Sequence, residues 1–151
     1  MKREFSAGGI VSRKFPMTNG QYQMKWLLAK SSPSELFPNS IWRFPKGWID
    51  DKEEGKFPGV IASGEKKATE EDLQTAALRE VREEAGVESK IIEKIGTETY
   101  FYKVKDERIM KFVTFYLMEW VLDLPEGFGF ETSQVGWFEF DEARCIASSE
   151  N

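Results

Sequence analysis

Histidine is absent from the 151 residues of the chain. That excludes a Ser-His-Asp triad, a Cys–His pair and any zinc site built on imidazole. Acid–base and metal chemistry must rest mainly on carboxylates, lysines and tyrosines. Cysteine is nearly absent too: the lone Cys145 excludes an intramolecular disulfide and fits a reducing compartment. No apolar run reaches a membrane span, since "FVTFYLMEWVLDL" is broken by Thr114, Glu119 and Asp123. The opening "MKREFSAGGIV" lacks the long apolar stretch of a secretory signal, so the expected location is the cytoplasm, with no membrane partner. Positive charge is in deficit, 21 Lys and Arg against 26 Asp and Glu, a net −5. That balance argues against binding to DNA duplexes.

Bulky core material is plentiful: hydrophobic residues make up 40% of the chain, with 12 Phe and five Trp. The length fits one domain spanning residues 1–151 with a real core. "FSAGGIVSRKF" reads as a first strand, where Gly8 and Gly9 point to a bulge or a close backbone approach. "YQMKWLLAK" is a second strand that should pair with it across the turn residues "PMTNG". "IWRF" is a short strand halted by "PKG". The polar stretch after it has little period and reads as a long loop holding a small hairpin. Its residues 51–67 are expected to be mobile.

A helix is predicted over 70–85, with Thr69 and Asp72 as a capping pair and Gly86 as its stop. "SKIIEKIGTETYFYKV" and "IMKFVTFYLMEWV" are two long strands joined by "KDER". "VGWFEF" is a last strand and "DEARCIAS" a terminal helix. This order implies a mixed β-sheet between helices, an α/β/α sandwich.

The predicted helix is electrostatically odd. Leu78, Val81 and Ala85 share the sector that should face the sheet. Glu80, Glu83 and Glu84 crowd an adjacent sector near the helix C-terminus, where neighbouring like charges and the macrodipole both oppose them. A bound divalent cation would reverse both penalties. Carboxylate oxygens are hard ligands suited to Mg²⁺, Mn²⁺ or Ca²⁺. A solvated face neutralised by Arg79 and Arg82 is the simpler alternative.

The longer stretch "EDLQTAALREVREEAGV" weighs for the cation. It contains Glu71, seven residues, then Arg79-Glu80-Val81-x-Glu83-Glu84-x-Gly86-Val87. This resembles the second part of the Nudix box, G-x5-E-x7-R-E-U-x-E-E-x-G-U, with U aliphatic. Eight specified positions match, and chance would produce that on the order of once in a million such chains. The first part departs from the pattern. Gly64 leaves six residues before Glu71, one too many. Gly47 leaves 23, an excess of 18, yet it follows a strand in "FPKGW" as the family's glycine does. Gly47 is preferred, because a longer loop costs only about 1.3 kcal/mol in closure entropy. The insertion then covers about residues 50–69.

The resemblance implies a Nudix-type α/β/α sandwich with a mixed β-sheet flanked by helices. It also implies hydrolysis of a pyrophosphate bond in a nucleoside diphosphate linked to another group. Glu80 and Glu84 would be the principal metal ligands and Glu83 would share the role. A backbone carbonyl of Lys46 or Gly47 would be added, and the cation would be Mg²⁺, with Mn²⁺ able to substitute. Arg79 would orient Glu80, and Glu71 would support the ligands from behind. Glu131, six residues before Trp137, is the candidate acid outside the box.

"WRFPKGW" with "DLQTAALREVREEAG" looks closest to the diadenosine polyphosphate hydrolase branch, which implies a dinucleoside polyphosphate such as diadenosine tetraphosphate. Lys46, beside Gly47, and Lys111 would then meet phosphates, while Tyr100, Tyr102 and Trp48 would stack on a base. Alternatives within the family are a nucleoside triphosphate sanitiser of the MutT kind, a remover of RNA 5′ pyrophosphate and a diphosphoinositol polyphosphate hydrolase. A non-catalytic ligand sensor of the same fold is a further one. The partner is a small-molecule nucleotide and the assembly a monomer or homodimer.

Overall fold

A computed structural model describes residues 1–35 and 38–149. The strands are β1 (Lys2–Pro16), β2 (Tyr22–Ser31), β3 (Trp42–Arg43), β4 (Lys46–Trp48), β5 (Asp51–Lys52), β6 (Phe57–Pro58), β7 (Val87–Val104), β8 (Glu107–Asp123) and β9 (Thr132–Phe138). The helices are α1 (Glu70–Ala85) and α2 (Phe140–Ser149). Seven strands form one mixed sheet in the order β3-β2-β1-β8-β7, with β4 also on β1 and β9 also on β2. β1 runs parallel to β8, and its other pairings are antiparallel. β1 parts from β2 at Ser12, and β4 takes up pairing at Gly8.

Two helices cover opposite faces because successive strand residues alternate. Leu27 is fully buried in the core beneath α1, with Ala7, Val11, Val81, Tyr116 and Met118. Its neighbour Trp26 points the other way and meets the ring of Phe140 on α2 edge-on, at 6.1 Å. The expected sandwich is therefore the observed one. Both glycines of the first strand mark close approaches. A Cβ on Gly8 would lie 2.3 Å from the Pro45 carbonyl oxygen, and the Gly9 amide donates to that oxygen at 3.0 Å.

The insertion, expected to be a mobile loop with a small hairpin, contains that hairpin and is anchored beyond it. β5 and β6 form the small hairpin, turned through Glu53, Glu54 and Gly55, all at positive φ. Beyond it the chain folds back onto Asp50, whose carboxylate accepts from the amides of Ile61 at 3.1 Å and Ala62 at 2.7 Å. Ala62 is fully buried, and its carbonyl accepts from the Phe5 amide at 2.8 Å. The hairpin tip is exposed, but Gly59, Ile61 and Ala62 are bonded to Asp50, and Ala62 also to β1. These ties are single bonds without any period, which is why the sequence pattern does not reveal them.

Candidate active site

α1 begins with a capping box: the Thr69 hydroxyl accepts from the Asp72 amide, and the Asp72 carboxylate accepts from the Thr69 amide. It ends at Gly86 in the left-handed region, φ 70°. A side chain there would also run into the backbone of Gly127 and Phe128. Between these caps, Ala77, Val81 and Ala85 are buried against the sheet, and Leu78 packs at the margin of that core. The wheel then turns Glu80 and Glu84, one helical turn apart, toward β4.

β4 meets them closely. A Cβ on Gly47 would stand 2.2 Å from Glu80 Oε2, so only glycine leaves room for that carboxylate. Gly47, rather than Gly64, is the glycine at the acidic helix. The backbone of β4 alternates in register with this. Ile49 donates to the Phe5 carbonyl and Pro45 accepts from Gly9, so odd residues bond to β1. Even residues turn to α1: the Lys46 amide donates to Glu84 Oε1 at 3.0 Å, and the Trp48 carbonyl accepts from Arg79 at 2.8 Å. A strand residue's N–H and C=O lie on the same edge, so the Lys46 carbonyl also faces the helix acids.

Glu80 and Glu84 are only 9% and 5% exposed, unusual for carboxylates. Burial, reinforced by the charge of Glu84, pushes the Glu80 carboxyl up to about 7, against the pull of Arg79. Burial likewise raises Glu84, opposed by Arg43 and the Lys46 amide. Arg79 spans the junction: its guanidinium donates to Trp48 O, to Ile49 O at 3.2 Å and to Glu80 Oε1 at 3.1 Å. Arg43 donates to Glu84 Oε2 at 3.3 Å.

The remaining expected residues separate. The Glu83 side chain is 60% exposed and 3.7 Å from Arg79 Nε. Glu71 is exposed in the first turn of α1, about 13 Å along the axis from Glu80, so the structure does not bring it to the paired acids. Glu131 is exposed on the loop before β9, and its charge adds to the rise of Glu84. That loop is tied down where it passes α1: Gly129 donates to the Glu83 carbonyl at 2.7 Å, and Ser32 donates to the Glu131 carbonyl at 2.8 Å. Among the described residues, no three acidic or cysteine side chains converge into a cation cage.

A basic and aromatic wall lies beside the acids, set by strand register. Glu4 is opposite Lys111 across β1 and β8, and Lys111 is opposite Tyr100 across β8 and β7. Glu4 is buried, and its Oε1 accepts from Tyr102 at 2.7 Å and Trp48 Nε1 at 3.0 Å, with Lys111 Nζ at 3.9 Å. Lys46 Nζ donates to the Tyr100 hydroxyl at 2.9 Å. Burial pulls both amines below the usual lysine range, and for Lys46 the charges of Lys111 and Arg43 add to it. Arg43, Lys46 and Tyr100 line one end of a cavity of about 650 Å³, which runs past Phe115 to Trp26 and Phe140. Sequence reasoning missed Arg43 and Glu4. The first had a signal in its place two residues before Pro45, whereas the second had none.

Two carboxylates that strain against burial and each other, facing a backbone carbonyl over a small glycine, fit a hard divalent cation. Mg²⁺ in particular is held by one or two carboxylates, with waters and substrate phosphates completing its shell. The profile of the NUDIX domain family matches residues 11–150, and the chain belongs to that family, whose members cleave phosphoanhydride bonds. An Ap4A hydrolase from C. elegans, solved as a binary complex, is 27% identical. The match covers 96% of this chain and 86% of that one, with TM-score 0.60. A NUDIX hydrolase from Nitrosomonas europaea is 16% identical over 97% and 79%, with TM-score 0.61. The NUDIX domain of Shewanella oneidensis NrtR, solved with ADP ribose, is 16% identical over 95% and 77%, with TM-score 0.54. At that identity the last two speak for the fold alone. No curated protein matches the chain in sequence. No helix among the described residues is long and apolar enough to cross a membrane.

Proposed function

We propose that the protein is a divalent-cation-dependent pyrophosphohydrolase of dinucleoside polyphosphates, of which diadenosine tetraphosphate is the expected type. One observation carries this reading: Arg43 and Lys46, both bonded to the buried Glu84, also line a cavity shared with Tyr100, Phe115, Trp26 and Phe140. A polyphosphate chain suits Arg43, Lys46 and Lys111, and a base suits the apolar walls beyond. The likeness to the C. elegans enzyme supports the substrate class.

Glu80 and Glu84 would hold the cation with the Lys46 carbonyl. The cation, Mg²⁺ or Mn²⁺, supplies charge neutralisation on the phosphates. Arg79 keeps the Glu80 carboxylate oriented, because its guanidinium is itself fixed by the Trp48 and Ile49 carbonyls. Lys46, Lys111 and Arg43 hold the phosphates and spread the charge that grows on the leaving group. Tyr100 keeps the Lys46 amine directed along the wall, and Tyr102 stands next to it. Glu131, the acid outside the helix, accepts the proton of the attacking water.

The test is a substrate panel with Mg²⁺ in ¹⁸O water, read by mass spectrometry. Dinucleoside polyphosphates should turn over fastest, with the heavy oxygen on one product only. Faster hydrolysis of a nucleoside triphosphate would replace this substrate assignment, and no turnover on any member would remove the catalytic reading.

A further inference from the structure

Arg43, given a phosphate to hold in the reading above, instead has its guanidinium on a carboxylate proposed to hold the cation. Glu84 is nearly fully buried and has two partners, one on each oxygen. The Lys46 amide, on Oε1, is fixed in β4 and cannot leave. The Arg43 guanidinium, on Oε2, belongs to a long side chain that is 33% exposed. A divalent cation drawn to Glu84 therefore meets a guanidinium already on the oxygen that the fixed amide leaves open. Like charges sharing one carboxylate repel, so the mobile partner must give way. The strand limits where it goes. Trp42 points away, edge-on to Phe138 at 5.3 Å, while Arg43 points to the acids and lines the cavity beside Lys46.

We propose that Arg43 is an exchange residue, which competes with the divalent cation for Glu84 in the free protein and moves to a substrate phosphate once the cation is bound. This rests on the cation site and polyphosphate substrate proposed above. Arginine suits the second role, because its planar fork pairs with two phosphate oxygens at once. The consequence is linkage. Substrate removes the competitor from Glu84, so the nucleotide and the cation each tighten the other by the same factor. Without nucleotide the cation binds weakly, and cation with nucleotide bind together. Arg43 is thus a positioning residue toward the cation and a binding residue toward substrate.

The experiment titrates Mn²⁺ into the protein by calorimetry, with and without a methylene-bridged, non-hydrolysable dinucleoside polyphosphate. It compares wild type with Arg43→Met, which keeps length and loses charge, and Arg43→Lys, which keeps charge and loses the fork. Without analogue, Arg43→Met should bind Mn²⁺ up to about five-fold more tightly, the range of a partly exposed ion pair. With Mn²⁺ present it should bind the analogue roughly ten-fold more weakly, as loss of a charge-assisted bidentate contact implies. The tightening of Mn²⁺ by analogue should shrink accordingly. Arg43→Lys should keep the wild-type weakness for Mn²⁺ while recovering only part of the analogue affinity, and it carries the test should the Met variant fail to fold. If Arg43→Met binds Mn²⁺ no more tightly than wild type, or the linkage is unchanged, the exchange role is wrong while the cation site stands. If the wild type binds no Mn²⁺ with or without analogue, both readings fall.

Discussion

Replacing Glu80 by Gln should make the cation-free protein more stable while removing its activity. The Glu80 carboxyl is raised by burial and by Glu84 from 4.5 to about 7. In a folded state whose carboxyl is raised, the stability contribution is complete below the unfolded value and is lost as pH climbs through the folded one. Stability should therefore fall between about pH 4.5 and 7 and stay low above. Glu84 is raised in the same direction and does not cancel the effect. At about 1.4 kcal/mol per pH unit, Glu80 alone accounts for at most roughly 3 kcal/mol above pH 8.

Gln keeps an acceptor for Arg79, but its amide hydrogens lie close to Gly47, at a cost of about 1 kcal/mol. The net gain is then about 2 kcal/mol, or roughly 4–8 °C in Tm for a domain of this size. Melting curves in chelator at pH 5, 6, 7 and 8 read it directly. The variant should pull ahead of wild type as pH rises, with the gap smallest at pH 5. With saturating Mg²⁺, kcat/KM should drop by about three orders of magnitude or more. A variant less stable at pH 8 in chelator, or a gap that ignores pH, would refute the argument that this carboxylate is held against its own preference.

Gly47→Ala should abolish turnover and lower stability by about 1–3 kcal/mol, because the new Cβ would displace the Glu80 carboxylate; activity and Tm should fall together. Asp50→Asn should cost about 1–3 kcal/mol, since an amide cannot match both bonds to Ile61 and Ala62. Shortening the exposed hairpin within 52–57 should leave Tm nearly unchanged, and equal losses from both changes would show that the tip is as structural as its anchor. Exhaustive chelation should stop hydrolysis and either Mg²⁺ or Mn²⁺ should restore it, whereas undiminished hydrolysis in chelator would exclude a carboxylate-held cation.

The helix and the long strands were legible because their signals are local. Thr69, Asp72 and Gly86 fix α1 to within the chain segment they occupy, and the observed caps are the ones read from sequence. The period of Val81 and Ala85 fixes which face is buried. The insertion was not legible in the same way. Its anchor is one carboxylate bonding backbone 11 and 12 residues further on, a contact that leaves no period. A polar segment therefore read as loose, although Ala62 at its end is fully buried.

The acids show the same boundary within one motif. Spacing places Glu80, Glu83 and Glu84 in one sector of the wheel, and the structure buries two of them and leaves Glu83 in solvent. What separates them is where β4 crosses the helix, and that depends on β1. Gly8 lets Pro45 come close, Pro45 aligns the turn, and the turn brings Gly47 against Glu80 and the Lys46 amide to Glu84. The same pairing stacks Glu4, Lys111 and Tyr100 in a row across β1, β8 and β7. Residues more than a hundred positions apart thus become one charged and aromatic wall through register alone. A one-residue slip of β1 against β8 would turn Glu4 to the other face and leave Lys111 with no buried carboxylate beside it. The box supplies the acids, but the strand register supplies the cations that meet them.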